Sequence, residues 1–215
     1  MRHKYGHIAL LAVTVLLIGL ASLSAAAHNV SGSTGLINIP SASVAPSGSI
    51  SAAYHSFNGT SHISMVLGAF PGVEVGIASR LDDSQNPLSG NVKVQLLKEA
   101  EYPAIAAGLA AGQDNVSYYV VGSMQIGIPG VRGHIGWGSG QFSRGFAGIS
   151  SVLNPVTIIS SEWRIPMPVT TVIVETDGWR INAGLSMKFN QQLSAKVMVS
   201  GFKHFGFGVS YSHSF

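Results

Sequence analysis

Large apolar residues alternate with small or polar ones in short runs along most of this chain, and that period of two restricts it to β-structure. The final run is the clearest. Phe205, Phe207, Val209, Tyr211, His213 and Phe215 fall on one face, and Gly206, Gly208, Ser210, Ser212 and Ser214 on the other. Successive side chains of a strand point to opposite faces, so this strand has one greasy face and one wet, uncrowded face. Further upstream, Ile63, Met65 and Leu67 oppose His62, Ser64, Val66 and Gly68, and Val73, Val75 and Ile77 oppose Glu74, Gly76 and Ala78. A soluble sandwich can carry such strands. A chain that ends on a free aromatic residue fits a membrane β-barrel better, because the outer face meets lipid and aromatics mark the interfaces.

Composition points the same way. Charged residues make up 10% of the chain, against about 25% in soluble domains. Cysteine is absent, which excludes disulfides and thiolate metal sites. The net charge of +3 is dispersed without a basic run, so nucleic acid is not implied as a partner. Residues 1–27 read as a cleaved secretory signal peptide: Arg2 and Lys4 lie before an apolar stretch from Ile8 to about Leu20, and Ala25 to Ala27 supply small residues for cleavage. The expected location is the outer membrane of a diderm bacterium.

Residues 28–48 are rich in Gly and Pro and read as an irregular lead-in, in the lumen or at the periplasmic mouth of a barrel spanning 49–215. From Ser49 onwards there are thirteen candidate runs, including Phe146–Leu153, Thr157–Trp163 and Val169–Thr176. Single-chain bacterial barrels have even strand numbers. The expectation is therefore an all-β, antiparallel transmembrane barrel of about twelve strands, within ten to fourteen. One of the first two of those runs is then absorbed into a long strand or an outer loop. Asn58-Gly59 and Asp177-Gly178 mark hairpins at one end. Trp179 to Phe189 reads as one eleven-residue strand, about the length of a tilted membrane strand.

Polar residues opposite the apolar faces are candidate lumen-lining groups: Glu74, Lys93, Gln95, Arg132, His134, Arg180, Asn182, Lys188 and Lys196. Ion pairs between Glu74, Glu162 or Glu175 and Arg132, Arg164 or Arg180 could fill the lumen. The histidines lack metal-ligand spacing, and Gly136-Trp-Gly-Ser-Gly140 resembles a nucleophile elbow only loosely. No catalytic, cofactor or metal residue is assigned. Phe207, Val209, Tyr211 and Phe215 resemble the C-terminal signal read by barrel-assembly machinery. Membrane lipid and lipopolysaccharide are the other expected partners.

Several short motifs carry a family resemblance. Gly35-Leu-Ile-Asn-Ile-Pro40 is followed by Ser41-Ala-Ser-Val-Ala-Pro-Ser-Gly48 and then a strand. Phe146-Ala-Gly-Ile149, Glu175-Thr-Asp-Gly178, Ile181-Asn-Ala-Gly-Leu-Ser186 and Phe205-Gly-Phe-Gly-Val-Ser-Tyr211 follow. Together they resemble the YjbH-like family of outer-membrane barrels associated with exopolysaccharide systems, with Thr176 departing from a usual Tyr. The resemblance implies an envelope barrel and polysaccharide or envelope-export components as partners. The expected function is a non-catalytic barrel, structural or a narrow conduit. A barrel hydrolase acting on lipid or peptide, and a soluble exported β-sandwich that binds a partner, are the alternatives.

Overall fold

The computed structural model describes residues 28–57, 59–82, 88–112, 115–155 and 167–215. Among them are twelve strands: β1 (Ser49–Phe57), β2 (Thr60–Phe70), β3 (Val73–Arg80), β4 (Leu88–Leu97), β5 (Ala104–Ala111), β6 (Val116–Gln125), β7 (Val131–Gly138), β8 (Phe146–Val152), β9 (Val169–Thr176), β10 (Ile181–Lys188), β11 (Leu193–Ser200) and β12 (His204–Ser214). Each pairs antiparallel with its neighbours in sequence. β1 pairs with β12 from Ser49↔Ser214 to Phe57↔Gly206, which closes the sheet into a barrel. A closed up-and-down sheet has no edge, so every strand satisfies its backbone groups on both sides, as a lipid environment requires. It is one continuous sheet, not the two packed sheets of a sandwich.

The parity problem resolves at β8 and β9. These strands pair directly, from Ala147↔Thr176 to Val152↔Thr171. The candidate run 157–163 belongs to the connection between them. That connection leaves β8 and enters β9 at the end that carries the termini, opposite the Gly59 and Gly178 turns, so the run is neither part of a long strand nor in a loop at that opposite, outer end. The run itself lies outside the described residues, as do residues 1–27 and Asn58. β10 is shorter than the expected eleven-residue strand. Trp179 and Arg180 sit in the β9–β10 turn, because the Asp177 carboxylate accepts both their backbone N–H groups, at 2.9 and 2.8 Å, and bends the chain there. Gly178 takes the positive φ of +83° that this turn needs.

Alternation sets the two surfaces. On β2, Ile63, Met65 and Leu67 are each more than 40% exposed, while Val66 between them is 1% exposed. The outward residues form an apolar band. Aromatic residues cluster at both its ends. Tyr118, Trp137, Phe202 and Phe205 are exposed at the end away from the termini, and Phe70, Tyr102, Tyr211 and Phe215 at the termini end. An apolar belt between two aromatic girdles is the exterior of a membrane barrel.

Residues 28–48 do not stay at the mouth. They fold back into the barrel as a compact plug, with antiparallel bridges His28↔Thr34 and Gly35↔Pro40. Leu36, Ile37, Ile39 and Ala42 pack against Ala106, Tyr119, Val121, Phe146, Ile173 and Met198, which come from β5, β6, β8, β9 and β11. One segment can touch strands on so many sides only from the lumen.

Candidate functional site

The plug is held by charged and polar side chains of the inner wall. Glu74 on β3 is central. Its carboxylate accepts from the Ser33 hydroxyl at 2.7 Å, from the Thr34 N–H at 2.9 Å and hydroxyl at 2.5 Å, and from the Ala45 N–H at 2.8 Å. It thus ties the two arms of the plug together. Lys93 on β4, opposite Glu74 in register, lies 3.0 Å away and also donates to the Thr34 carbonyl at 2.6 Å. Both side chains are fully buried. Their charges are tolerated there because each has a partner and further hydrogen bonds.

Glu175 on β9 grips the plug from across the barrel. It accepts from the consecutive N–H groups of Ile37 and Asn38, at 2.9 and 2.8 Å, and from the Asn182 amide at 3.1 Å. Two successive backbone N–H groups aimed at one carboxylate form an anion nest. Lys196 on β11 donates to the His28 carbonyl at 2.8 Å and to the Leu36 carbonyl. Asn91, Gln95 and Ser123 add contacts to Gly32, to the Ala42 carbonyl and to the Ala42 N–H. The wall and plug are therefore stitched by backbone-directed bonds from at least five strands. That matches a fixed plug, since leaving the lumen would break all of these bonds together and exchange them for water.

Close approach of the backbones completes the fit. A Cβ on Gly76 would lie 1.9 Å from the Gly32 carbonyl oxygen, and one on Gly68 would lie 1.8 Å from that of Pro46. These glycines are notches in the wall shaped to the plug.

The structure brings together five of the nine polar residues singled out in the sequence. Glu74, Lys93, Gln95, Asn182 and Lys196 surround the plug. His134 is also buried, but it bonds Ser123 at 2.8 Å and Ser150 at 3.3 Å instead. Arg132 stands nearer the termini end, where it pairs with Glu99 of the β4–β5 connection. Lys188 is half-buried at the termini end of β10, and Arg180 is exposed in the β9–β10 turn. The anticipated Glu–Arg pairs give way to Glu74 with Lys93 and Arg132 with Glu99, and Glu175 binds backbone rather than arginine. Glu162 and Arg164 lie outside the described residues. Phe207, Val209, Tyr211 and Phe215 all point outward.

Glu175, Asn91 and Ser123 are the docking residues missing from that set. Glu175 carried a signal: it alternates with Val172 and Val174 on the face of Ile173. The Ser123–His134 pair has no nucleophile geometry. Ser123 is 1% exposed and its oxygen accepts from the plug at Ala42. Ser139, in the loose elbow motif, accepts from the Tyr118 N–H at 3.1 Å.

The plug stops short of the end away from the termini and leaves a vestibule there. A cavity of about 440 Å³ is lined by Trp179, Phe142, Arg80, His62, Asn38 and Gln141 among others.

Comparison with known proteins bears out the family resemblance. The model of the family YjbH, described as exopolysaccharide biosynthesis protein YbjH, matches residues 27–164. No curated protein matches the sequence. Among solved structures, a KdgM porin is similar over 78% of this chain and 99% of its own, with 15% identity and a TM-score of 0.50. A KdgM porin in complex with disordered oligogalacturonate covers the same shares, with 14% identity and a TM-score of 0.51. At such identities the likeness is one of fold.

Proposed function

Because the chain belongs to the YjbH family of exopolysaccharide biosynthesis proteins, we propose that it is a self-plugged outer-membrane barrel that serves polysaccharide traffic in the envelope without catalysing a reaction. The observation that carries this reading is a lumen filled by the chain's own residues 28–48 inside a closed sheet with a lipid-suited exterior. An open pore of this strand number would keep its wall charges in water. Here Glu74, Lys93 and Lys196 are spent on docking the plug. They act as anchors first, and not as a selectivity filter.

The orientation follows from export and assembly. A leader cleaved after Ala27 and a terminal signal formed by Phe207, Val209, Tyr211 and Phe215 put both termini at the periplasmic face. Barrel-assembly machinery then reads the last strand, and lipopolysaccharide meets the outer girdle. The vestibule opens outward. Arg132, His134 and Lys188 line the periplasmic half of the lumen wall.

Mobility in gels with and without boiling, together with extraction of cell envelopes, tests this reading. The mature protein should require detergent for release and should migrate faster unboiled than boiled. Release into the aqueous fraction without detergent would contradict it.

A further inference from the structure

We propose that the vestibule above the plug is a binding site for an oligosaccharide chain, with Trp179 as its stacking platform. This rests on the barrel reading above and adds a ligand class and the residues that would hold it. Trp179 is 60% exposed, yet it is firmly placed. Its backbone N–H donates to the Asp177 carboxylate at 2.9 Å, which fixes the turn that carries the ring, and the same carboxylate accepts from the side-chain amides of Asn38 and Asn182 at 3.2 Å each. The Arg144 guanidinium stands 3.7 Å from the centre of the indole ring. Arg144 lies outside the cavity that Trp179 lines. It therefore backs one face of the ring and leaves the other for a ligand. A rigid aromatic plane with one open face suits the apolar C–H face of a pyranose.

The rest of the lining supplies the polar half of such a site. Asn38 and Ser31 rise from the plug, Gln141 comes from the β7–β8 connection, and Arg80 and His62 stand on the β2–β3 wall. Amides, hydroxyls and a guanidinium beside an aromatic plane match the hydroxyls and ring oxygens of sugars. They do not match an acyl chain, which would leave those groups unpaired. At about 440 Å³ the cavity lies in the size range of small-ligand sites, about 300–1,000 Å³.

The shape points to a chain rather than a single sugar. A second cavity of about 440 Å³ adjoins the first and shares Ser31, Ser89, Gly112 and Gln141 with it. Asn91 lines this second lobe. It is 6% exposed, and its amide oxygen has no hydrogen-bond partner, although its nitrogen is taken by the Gly32 carbonyl. The two lobes together form a trough across the mouth, floored by the plug.

The test is titration calorimetry on the full mature chain in an amine-oxide detergent, since maltoside head groups would themselves compete. The probes are tetragalacturonate, an acidic oligomer, and maltotetraose, a neutral one. Saturable binding of one of them is expected, weakened at least about tenfold in Trp179→Ala, as for an aromatic anchor. Trp179→Phe keeps an aromatic plane and should retain most of that affinity. Tyr102→Ala, an exposed aromatic at the opposite end, should leave it unchanged. Binding of neither probe to a chain that shows the heat-modifiable band would overturn the site while leaving the barrel standing. Binding that ignores Trp179→Ala would overturn it as well. A chain without the heat-modifiable band would overturn the barrel reading and this inference with it.

Discussion

Glu74 and Lys93 illustrate how single residues set the state of this molecule. Each is buried, and each neutralises the other while bonding the plug. Removing one partner strands a charge, which costs about 3–5 kcal/mol, whereas replacing both with apolar or neutral isosteres is often near neutral. Lys93→Met should therefore destabilise the barrel by about 3–5 kcal/mol in urea unfolding from detergent, and Glu74→Gln added to it should recover part of the loss, because the stranded charge goes while the new NH2 faces a plug N–H. Equal destabilisation in the single and double variants would contradict the pairing. Asp177 makes a second case, outside the spanning strands. Partial burial works against its ionisation, but the N–H groups of Arg180 and Trp179 and the amides of Asn182 and Asn38 outweigh this and hold its pKa below 3.8. A depressed carboxylate contributes above its unfolded value and loses that contribution as pH falls through the folded one. Protection of the Trp179 and Arg180 amides should thus hold at neutral pH and fall once pH drops below 3.8, while Asp177→Asn should remove this acid dependence. Alternation alone placed Glu74, Lys93 and Lys196 on the inner face. It could not say what they meet there, because Ser33, Thr34 and Ala45 lie in a stretch with no period.

At the scale of elements, the strands were legible, whereas residues 28–48 could be read only as an irregular lead-in, in the lumen or at the mouth, without their contacts. A strand advertises its faces by a period of two, so β2, β3, β11 and β12 could be read residue by residue. The plug has short apolar units between glycines and prolines, and its backbone groups are satisfied by side chains distant in sequence. Only the closed barrel brings Glu175 to Ile37 and Lys196 to Leu36. The overlong reading of β10 has a local cause: Asp177 captures two N–H groups and holds Trp179 and Arg180 in the turn. Steric fit between wall and plug gives a further prediction. Gly76→Val should expel the plug while the sheet still closes, so added protease should cut within residues 28–48 of a barrel that remains heat-modifiable. Gly122→Val is the control, since a Cβ there meets nothing nearer than 3.9 Å. Cutting in both variants, or in neither, would contradict the notch. The final strand makes a separate claim. Phe215 is 87% exposed and is tied by its N–H to the Gly48 carbonyl. Its deletion removes little buried area, yet membrane-inserted protein should fall severalfold, because its role is in recognition. Normal insertion of the truncated chain would remove the assembly signal.

For the whole molecule, closure and filling are separate properties, and they carry different parts of the function. Closure by the β1–β12 pairing, with apolar belt and aromatic girdles, makes the chain a membrane barrel. Its outline could be read from the alternation, the low charge and the terminal aromatic. Filling distinguishes it from an open conduit, and no single run in the sequence announces it. The likeness to KdgM porins is one of fold and does not decide whether the lumen is open. Single-channel recording in planar bilayers tests this most directly. The wild-type chain should give a flat trace and Gly76→Val should give discrete conductance steps. Sustained porin-like steps from the wild type would contradict the self-plugged barrel.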